Sequence, residues 1–279
     1  MKFENRNVLI TGGASGIGRL MGIMALEKGA RTLVIWDINA QNIAATTAEL
    51  GRKGKVKGYV TDVSNSDAVQ ASYKKTIAEC GDVDILINCA GIVTGNSTFD
   101  KMTTAEITRT IGINTIAPML VARAFLPGML KRNSGHICTI ASAAGMLSNP
   151  RMSVYAASKW GAIGWSDSVR IELKNMKSNV HVTTVAPYYI NTGMFDGVKS
   201  RIIPILKPEH VASKVIRAIE RNTDFKGIPF TFRFIRFFQG LLPASWFDVI
   251  FGEWFGVYHT MDNFTGRRNS ISPAKKVSY

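Results

Sequence analysis

Short apolar runs alternate with amphipathic stretches along most of the chain. The apolar runs are rich in β-branched residues, which predicts buried strands, and the stretches between them follow the helical period. Successive runs lie roughly 25 residues apart, which is typical of strand-helix units. We therefore predict an α/β fold, a doubly wound parallel sheet with helices on both faces. The predicted strands lie near Val8, Leu33, Val56, Ile85, Ile137 and Val182.

The pattern changes at Phe225. Twelve of the twenty-six aromatic residues lie between Phe225 and Tyr258. The segment that starts at Phe230 alternates like a strand, whereas the segment that starts at Ser245 has helical spacing. We predict one domain over residues 1–266, in which residues 225–266 form an aromatic C-terminal extension that also supplies the last strand. Residues 267–279 are basic and have little apolar surface to bury, so we predict a disordered tail there.

The net charge of +14 changes the interpretation of this extension. Nine basic residues but only three acidic ones lie between Lys199 and Arg236. Basic residues beside exposed aromatic side chains favour an anionic lipid surface, at about 1 kcal/mol per cation. The extension could equally wall an apolar substrate pocket or form a subunit interface, and these three explanations do not exclude one another. Nucleic acid is not expected as a partner, because no binding motif accompanies the charge.

The cysteines and histidines predict neither disulfides nor a metal site. The three cysteines show no Cys-x-x-Cys spacing, and the four histidines have no spacing typical of metal ligands. The first strand begins so close to Met1 that no signal peptide is expected, and no continuously apolar span predicts a transmembrane helix. We therefore expect a cytoplasmic protein, peripheral to a membrane if the extension binds lipid.

A glycine-rich turn follows the first strand and precedes a helix. Gly12, Gly16 and Gly18 let the backbone approach a pyrophosphate, and the helix N-terminus offers free N–H groups. The same glycines would also serve a tight loop that binds nothing. The second strand ends in Asp37, which can accept hydrogen bonds from a ribose 2′-hydroxyl and repels a 2′-phosphate. This favours NAD over NADP as the cofactor.

Tyr155 and Lys159 lie four residues apart, on one face of a predicted helix, and Ser142 lies thirteen residues before Tyr155. A Lys ammonium beside a phenol is expected to lower the phenol pKa from about 10. A Ser hydroxyl can hold an alcohol or carbonyl oxygen against that phenol. The three residues therefore suit proton transfer to or from an alcohol oxygen.

Together these motifs resemble the short-chain dehydrogenase/reductase family over about residues 5 to 222 and imply a Rossmann-type fold. They are the glycine pattern Thr11 to Gly18, Asp62-Val63, Asn88-Cys89-Ala90-Gly91, Asn114, Ser142, Tyr155 and Lys159. The resemblance implies four catalytic residues: Asn114, Ser142, Tyr155 and Lys159. It implies cofactor contacts at Gly12, Ser15, Gly16, Ile17, Gly18, Asp37, Asp62, Val63, Asn88, Ala90, Gly91, Tyr155, Lys159, Pro187, Ile190 and Thr192.

Two positions depart from the family pattern. Cys89 replaces an Asn, and Tyr188 stands after Pro187 where the family has Gly. We expect the first change to be tolerated and the second to reshape the loop over the nicotinamide. Further plausible wall positions of a substrate pocket are Met146, Met194 and Phe195.

The end of the chain narrows the resemblance to the lipid-associated hydroxysteroid and retinol dehydrogenase branch. The similar segments are Leu241-Leu242-Pro243, Phe247-Asp248 and Met261 to Arg267. This branch acts on bulky hydrophobic alcohols and ketones, and many members carry an N-terminal hydrophobic anchor that is not predicted here. The resemblance also implies a homodimer or homotetramer.

The sequence therefore predicts an NAD(P)-dependent oxidoreductase acting on CH–OH groups (EC 1.1.1 type). Its substrate is expected to be a steroid, retinoid or long-chain alcohol that is interconverted with its ketone or aldehyde. In this hypothesis Tyr155 exchanges the proton, Ser142 orients the oxygen, and Asn114 holds a water that links Lys159 to solvent. One alternative is a reductase of a 3-oxo acyl or 3-oxo sphingoid substrate. The other is a non-catalytic, nucleotide-binding lipid-surface protein.

Overall fold

The computed structural model describes residues 1–94, 97–201 and 203–266. The predicted tail at 267–279 therefore lies outside the described residues. Seven parallel strands form one sheet in the order β3-β2-β1-β4-β5-β6-β7. The strands are β1 (Asn7–Thr11), β2 (Thr32–Asp37), β3 (Val56–Val60), β4 (Ile85–Asn88), β5 (Gly135–Ile140), β6 (Val180–Pro187) and β7 (Phe225–Ile228).

Helices connect the strands and continue beyond β7. The α-helices are α1 (Gly16–Glu27), α2 (Ala40–Leu50), α3 (Ser66–Cys80), α4 (Thr104–Ile111), α5 (Ala117–Lys131), α6 (Ser153–Asn175), α7 (Pro208–Glu220), α8 (Ile235–Leu241) and α9 (Ala244–Phe247). Two π-helical segments cover Gly112–Ile116 and Asp248–Trp254. Short 3-10 helices cover Phe99–Lys101, Ala143–Gly145, Phe230–Phe234 and Val257–His259.

Side chains of the central strands alternate between two apolar layers. Val8 and Ile10 of β1 pack into a layer that contains residues of α1 and α7. Leu9, between them, packs into a layer that contains residues of α3 and α5. Because strand side chains point alternately to opposite faces, the sheet is covered by helices on both sides. This confirms the predicted doubly wound α/β fold.

The C-terminal extension packs across the carboxyl ends of the strands. The expected last strand is β7, but the strand-like alternation from Phe230 is a wrong prediction. Pro229 follows β7, and Phe230–Phe234 forms a 3-10 helix that buries Phe232 while leaving Phe234 exposed. Proline cannot donate a ladder hydrogen bond, so the strand ends before it. The predicted helical spacing after Ser245 is confirmed by α9 and the π-helical segment that follows it.

The outer side of the extension is an exposed aromatic face. Ring contacts join part of it: the Phe237 and Phe238 centroids lie 5.6 Å apart, and the half-buried Phe251 lies 5.8 Å from Phe238 and 5.2 Å from Phe255. The same helices therefore carry apolar side chains both inward and outward. The exposed members of this aromatic face are Phe234, Phe237, Phe238, Leu241, Trp246, Val249, Trp254 and Phe255.

One helical run of the described residues, Thr104–Lys131, is long and apolar enough to cross a membrane, judged by length and composition. Its most apolar window has a mean hydropathy of 1.4 and is 39% buried. The run packs against β4 and β5 of the sheet and against α3 and α6. We interpret it as a core helix of the α/β fold, and the absence of a membrane span stays a prediction.

Candidate active site

The glycine-rich turn is locked against the segment that follows β4. The Thr11 hydroxyl accepts hydrogen bonds from the backbone N–H groups of Cys89, at 3.1 Å, and Ala90, at 3.2 Å. Gly12 has a φ of +66°, and a Cβ atom there would lie 2.9 Å from the Ala90 Cα atom. At Gly18 a Cβ atom would overlap the Gly12 carbonyl oxygen. Only glycine fits these close backbone approaches.

A groove of about 950 Å³ opens above this turn. The groove is lined both by the glycine turn and by Asp37, and Ser15 at the N-cap of α1 makes no side-chain capping hydrogen bond, so the first N–H groups of α1 are available to a phosphate. The residues present therefore fit the implied cofactor. The groove collects ten of the predicted contacts: Gly12, Ser15, Gly16, Ile17, Asp37, Asp62, Val63, Ala90, Gly91 and Thr192.

Two predicted cofactor contacts, Gly18 and Asn88, line neither this groove nor the cavity that holds Tyr155 and Lys159. Gly18 lies in the first turn of α1 beneath Gly12, where its missing side chain closes the turn. Asn88 is 3% exposed, and its Nδ2 donates to the Pro118 carbonyl at 3.5 Å. Their contact with a cofactor stays a prediction.

Asp37 is held at the end of β2 by two backbone amides. Its Oδ2 accepts from the N–H of Ala14 at 3.1 Å, and its Oδ1 accepts from the N–H of Asn39 at 3.1 Å. An ionised carboxylate offers about four acceptor sites, so lone pairs remain for a ligand hydroxyl. The carboxylate is thus fixed beside the glycine turn with capacity to bind a ribose.

The four predicted catalytic residues come from three parts of the fold. Tyr155 and Lys159 lie on successive turns of α6, with the Lys159 Nζ atom 5.8 Å from the Tyr155 ring centroid. Ser142 follows β5, and Asn114 lies in the π-helical segment before α5. A catalytic cavity of about 540 Å³ is lined by Ser142, Tyr155 and Lys159, together with the predicted contacts Pro187, Ile190 and Thr192.

Burial controls the acid-base properties of this cavity. Burial raises the pKa of Tyr155 to about 12, and a hydrogen bond with Ser142 lowers it in part. Burial lowers the pKa of Lys159 to about 8, against a smaller opposing effect of Cys89. This differs from the lowered phenol pKa that the sequence predicts. The reason is that burial of the phenol outweighs the effects that would lower its pKa. Lys159 Nζ also donates to the Ile140 carbonyl at 3.1 Å.

Asn114 acts as a clamp within this site. Its Oδ1 accepts from the N–H of Ile92 at 2.9 Å, and its Nδ2 donates to the Ile92 carbonyl at 2.9 Å and to Ser158 Oγ at 3.1 Å. A Cβ atom added to Gly91 would lie 3.3 Å from Asn114 Oδ1 and 3.5 Å from Lys159 Nζ. Asn114 Oδ1 and Lys159 Nζ thus both lie close to Gly91. The predicted water between Asn114 and Lys159 stays a prediction. Single-turn π segments are frequent at functional sites.

A second space, the substrate cavity, shares Ser142, Tyr188 and Phe195 with the catalytic cavity. The extension supplies two of its walls, Phe232 and Val257, so it does wall a pocket. The Tyr188 ring packs 5.3 Å from Phe232, and its hydroxyl lies 3.0 Å from Ser200 Oγ. The remaining lining is mostly apolar: Ala143, Ala144, Leu147, Met152 and Phe195, with Asn149 and Tyr189 as polar members.

The other wall predictions have mixed outcomes. Tyr188 and Phe195 line both the catalytic and the substrate cavity, and Met194 lines the catalytic cavity and the cofactor groove. Met146 is buried in the adjacent apolar cluster and lines none of these spaces. Sequence reasoning missed Arg109, which lines the cofactor groove from α4, and Asn149. Neither stands in a motif, so only the fold brings them to the site.

Comparison with known proteins finds relatives that are dehydrogenases. The family model for short chain dehydrogenase matches residues 6–202. Epidermal retinol dehydrogenase 2 of Mus musculus is 35% identical over 268 residues, which cover 94% of this chain and 85% of the relative. Estradiol 17-beta-dehydrogenase 11 of Homo sapiens is 36% identical over 245 residues, covering 87% and 81%.

Solved structures agree on the fold. A short chain dehydrogenase/reductase from Burkholderia phymatum, crystallised in complex with NAD, superposes with a TM-score of 0.78 at 26% sequence identity. The match covers 86% of this chain and 96% of that chain. A nicotinamide dinucleotide is therefore the cofactor class of this fold.

Gly18→Ala should weaken NADH binding at least about tenfold, because the new Cβ atom displaces the Gly12 carbonyl and opens the turn under the pyrophosphate. The matched control is Gly164→Ala in α6, where no atom lies within 4 Å of the added Cβ. That control should bind NADH normally and gain about 0.5–1 kcal/mol in unfolding free energy. Fluorescence titration with NADH and thermal unfolding measure both. Equal NADH affinity of the two variants would contradict the assigned role of Gly18.

Proposed function

This chain belongs to the short-chain dehydrogenase family and interconverts alcohols and carbonyl compounds, and we propose that its substrate is a hydrophobic alcohol of the steroid, retinoid or long-chain lipid type. The observation that carries this proposal is the substrate cavity, whose lining beside Ser142 is mostly aliphatic and aromatic. Two relatives are named for a retinoid and a steroid substrate, retinol and estradiol, which supports the same class.

The chain's own residues divide the work at the reacting oxygen. A nicotinamide dinucleotide supplies hydride chemistry when bound. Ser142 Oγ holds the substrate oxygen, and Tyr155 Oη exchanges a proton with it. With a pKa near 12 the Tyr155 phenol is a proton donor to a carbonyl oxygen, and in the opposite direction its phenolate must be stabilised. The Lys159 ammonium on the next turn of α6 provides that stabilisation through charge attraction.

The alternatives are less well supported. Reduction of a 3-oxo acyl or 3-oxo sphingoid group would use the same four residues, but such biosynthetic reductions draw on NADPH, which Asp37 disfavours. A non-catalytic lipid-surface protein has no need for Ser142, Tyr155 and Lys159 to converge in one cavity, as they do here. An alcohol oxidoreductase that uses NAD accounts for Asp37 in the cofactor groove and for the convergence of Ser142, Tyr155 and Lys159 in the catalytic cavity.

We propose NAD, rather than NADP, as the cofactor. Asp37 lines the groove next to the glycine turn, and both of its oxygens are held in place by backbone amides. A fixed negative charge there repels a 2′-phosphate and accepts a hydrogen bond from a 2′-hydroxyl.

We also propose a cytoplasmic protein that touches an anionic lipid surface through its aromatic face. Two cations lie beside the rings of this segment: Lys226 Nζ is 5.9 Å from the Phe230 centroid, and the Arg236 guanidinium carbon is 5.7 Å from that of Phe225. Exposed Trp and Phe beside Lys and Arg are typical of interfacial segments. Lipid contact would place the substrate cavity, walled by the same segment, next to a store of hydrophobic molecules.

Assembly into a homodimer or homotetramer is a further part of the proposal. Ile116, Trp160 and Ile171, on the helical run before α5 and on α6, are large apolar side chains exposed at 46%, 43% and 46%. Light scattering of the purified protein measures the mass.

Tyr155→Phe should lower kcat/KM for a hydrophobic alcohol by at least about 10²–10⁴-fold, since proton transfer by a positioned group contributes that much. NADH affinity should change little. Tyr188→Phe is the matched control. Tyr188 lines the same cavity, but its hydroxyl contacts Ser200 Oγ, so its removal should change turnover little. Steady-state absorbance of NADH measures both. Turnover of Tyr155→Phe within tenfold of the wild type would refute the catalytic assignment.

Asp37→Ala should reduce the ratio of kcat/KM with NAD to that with NADP by about tenfold or more, because the fixed charge that repels a 2′-phosphate is removed, and about 1.4 kcal/mol of differential binding is tenfold. Asp37→Asn separates charge from shape, since the amide keeps an acceptor for the 2′-hydroxyl but no longer repels a 2′-phosphate. Kinetics with both cofactors give the ratios. An unchanged ratio, or a wild-type preference for NADP, would remove Asp37 from this role.

The double variant Phe237→Gln with Trp254→Gln should lose most of the binding to phosphatidylserine-containing vesicles, because side chains that are 63% and 70% exposed lose their apolar surface. The matched control, Phe99→Gln with Met176→Gln, changes side chains that are each 63% exposed but lie elsewhere. Vesicle sedimentation at low and high salt measures binding. A wild type that stays in the supernatant, or an equal loss in both double variants, would count against the aromatic face.

A further inference from the structure

The substrate cavity contains a polar position that the catalytic residues do not use. Asn149 lines this cavity but is only 8% exposed. Its Nδ2 donates to Tyr189 Oη at 2.9 Å and to Thr260 Oγ1 at 2.7 Å. Its Oδ1 is shielded from solvent and accepts no hydrogen bond from any described residue. Buried acceptors are nearly always hydrogen-bonded, so this oxygen requires an explanation.

The surrounding hydrogen bonds fix which end of the amide faces the network. The Thr260 hydroxyl donates its one proton to the Val257 carbonyl at 2.9 Å. With its proton on the Val257 carbonyl, Thr260 Oγ1 accepts from the NH₂ group of Asn149. A flipped amide would accept a hydrogen bond from Thr260 only if that proton left the Val257 carbonyl. The free oxygen of Asn149 is thus a property of the network, and Thr260 and Tyr189 position it.

The other polar groups in the lining already have partners. The Tyr188 hydroxyl lies 3.0 Å from Ser200 Oγ, and the Tyr189 hydroxyl lies 3.0 Å from Thr260 Oγ1. Ser142 Oγ accepts a hydrogen bond from the N–H of Ala144 at 3.1 Å and shares another hydrogen bond with the Tyr155 hydroxyl. Within the described lining, Asn149 Oδ1 is the buried side-chain polar atom that has no hydrogen-bond partner, in a wall that is mostly apolar.

We propose that Asn149 is a specificity-determining residue that accepts a hydrogen bond from a second hydroxyl group of the substrate. The substrate would then be a hydrophobic molecule with two oxygen functions, one held at Ser142 and Tyr155 and the other at Asn149. A site built to bind a hydroxyl discriminates against the analogue that lacks it, because the buried acceptor is then left unpaired. This inference rests on the proposed alcohol oxidoreductase activity and refines its substrate class.

The test compares substrate pairs that differ by one hydroxyl. Estradiol is paired with 3-deoxyestradiol, and each member of a series of α,ω-alkanediols is paired with the 1-alkanol of equal length. The wild type should favour the dihydroxy member of at least one pair by about tenfold or more in kcat/KM. Asn149→Leu, which keeps similar volume but has no acceptor, should abolish that preference. A ratio measured on one protein sample is independent of the active fraction.

The Thr260 variants separate positioning from packing. Thr260 does not line the cavity, so Thr260→Val removes the acceptor that orients the amide without changing the cavity wall. This variant should lose the preference for the dihydroxy substrate, and Thr260→Ser, which keeps the hydroxyl, should retain it. The Thr260 pair also decides the question if Asn149→Leu does not fold.

The outcomes distinguish this inference from the proposed function. Equal kcat/KM within every pair for the wild type, or a preference that persists in Asn149→Leu and Thr260→Val, overturns the role of Asn149 and leaves the oxidoreductase intact. No turnover of any member of the panel by the wild type overturns the proposed substrate class, and the inference falls with it.

Discussion

The close backbone packing between the glycine turn and the end of β4 is the constraint on which the rest of the site depends. Gly12 lies against Ala90, and the Thr11 hydroxyl binds the two N–H groups that follow Asn88. This contact brings the N-terminus of α1 to the same edge of the sheet as the segment that carries Gly91. Because parallel strands end together at this edge, a single contact aligns the cofactor groove with the catalytic cavity.

Burial then decides the chemistry at the catalytic cavity. Tyr155 and Lys159 both lie in surroundings that disfavour charge, which raises one pKa and lowers the other. The protonated Tyr155 phenol suits proton donation to a carbonyl oxygen, and ionisation of Tyr155 requires compensation by nearby charge. Asn114 and the Ile140 carbonyl keep this region ordered through hydrogen bonds to the protein. The ease with which Tyr155 gains or loses its proton thus depends on burial and on the charge of Lys159.

The C-terminal extension has two sides with different consequences. Its inner side contributes Phe232 and Val257 to the substrate cavity, and Thr260, behind the wall, orients Asn149. Its outer side exposes a connected set of aromatic rings beside Lys226 and Arg236. Because one short segment serves both sides, substrate selection and surface attachment are expected to change together when this segment changes.

The sequence by itself determined the α/β fold, the order of the strands along the chain and most of the groove, because periodicity and the glycine and Tyr155-Lys159 spacings are local properties. It could not place residues whose role depends on distant contacts. Asn88 and Gly18 line neither the groove nor the catalytic cavity, and the alternation from Phe230 became a 3-10 helix after Pro229. The pKa of Tyr155 and the free oxygen of Asn149 were decided only by the tertiary structure, since burial and hydrogen-bond partners come from elements far apart in the chain.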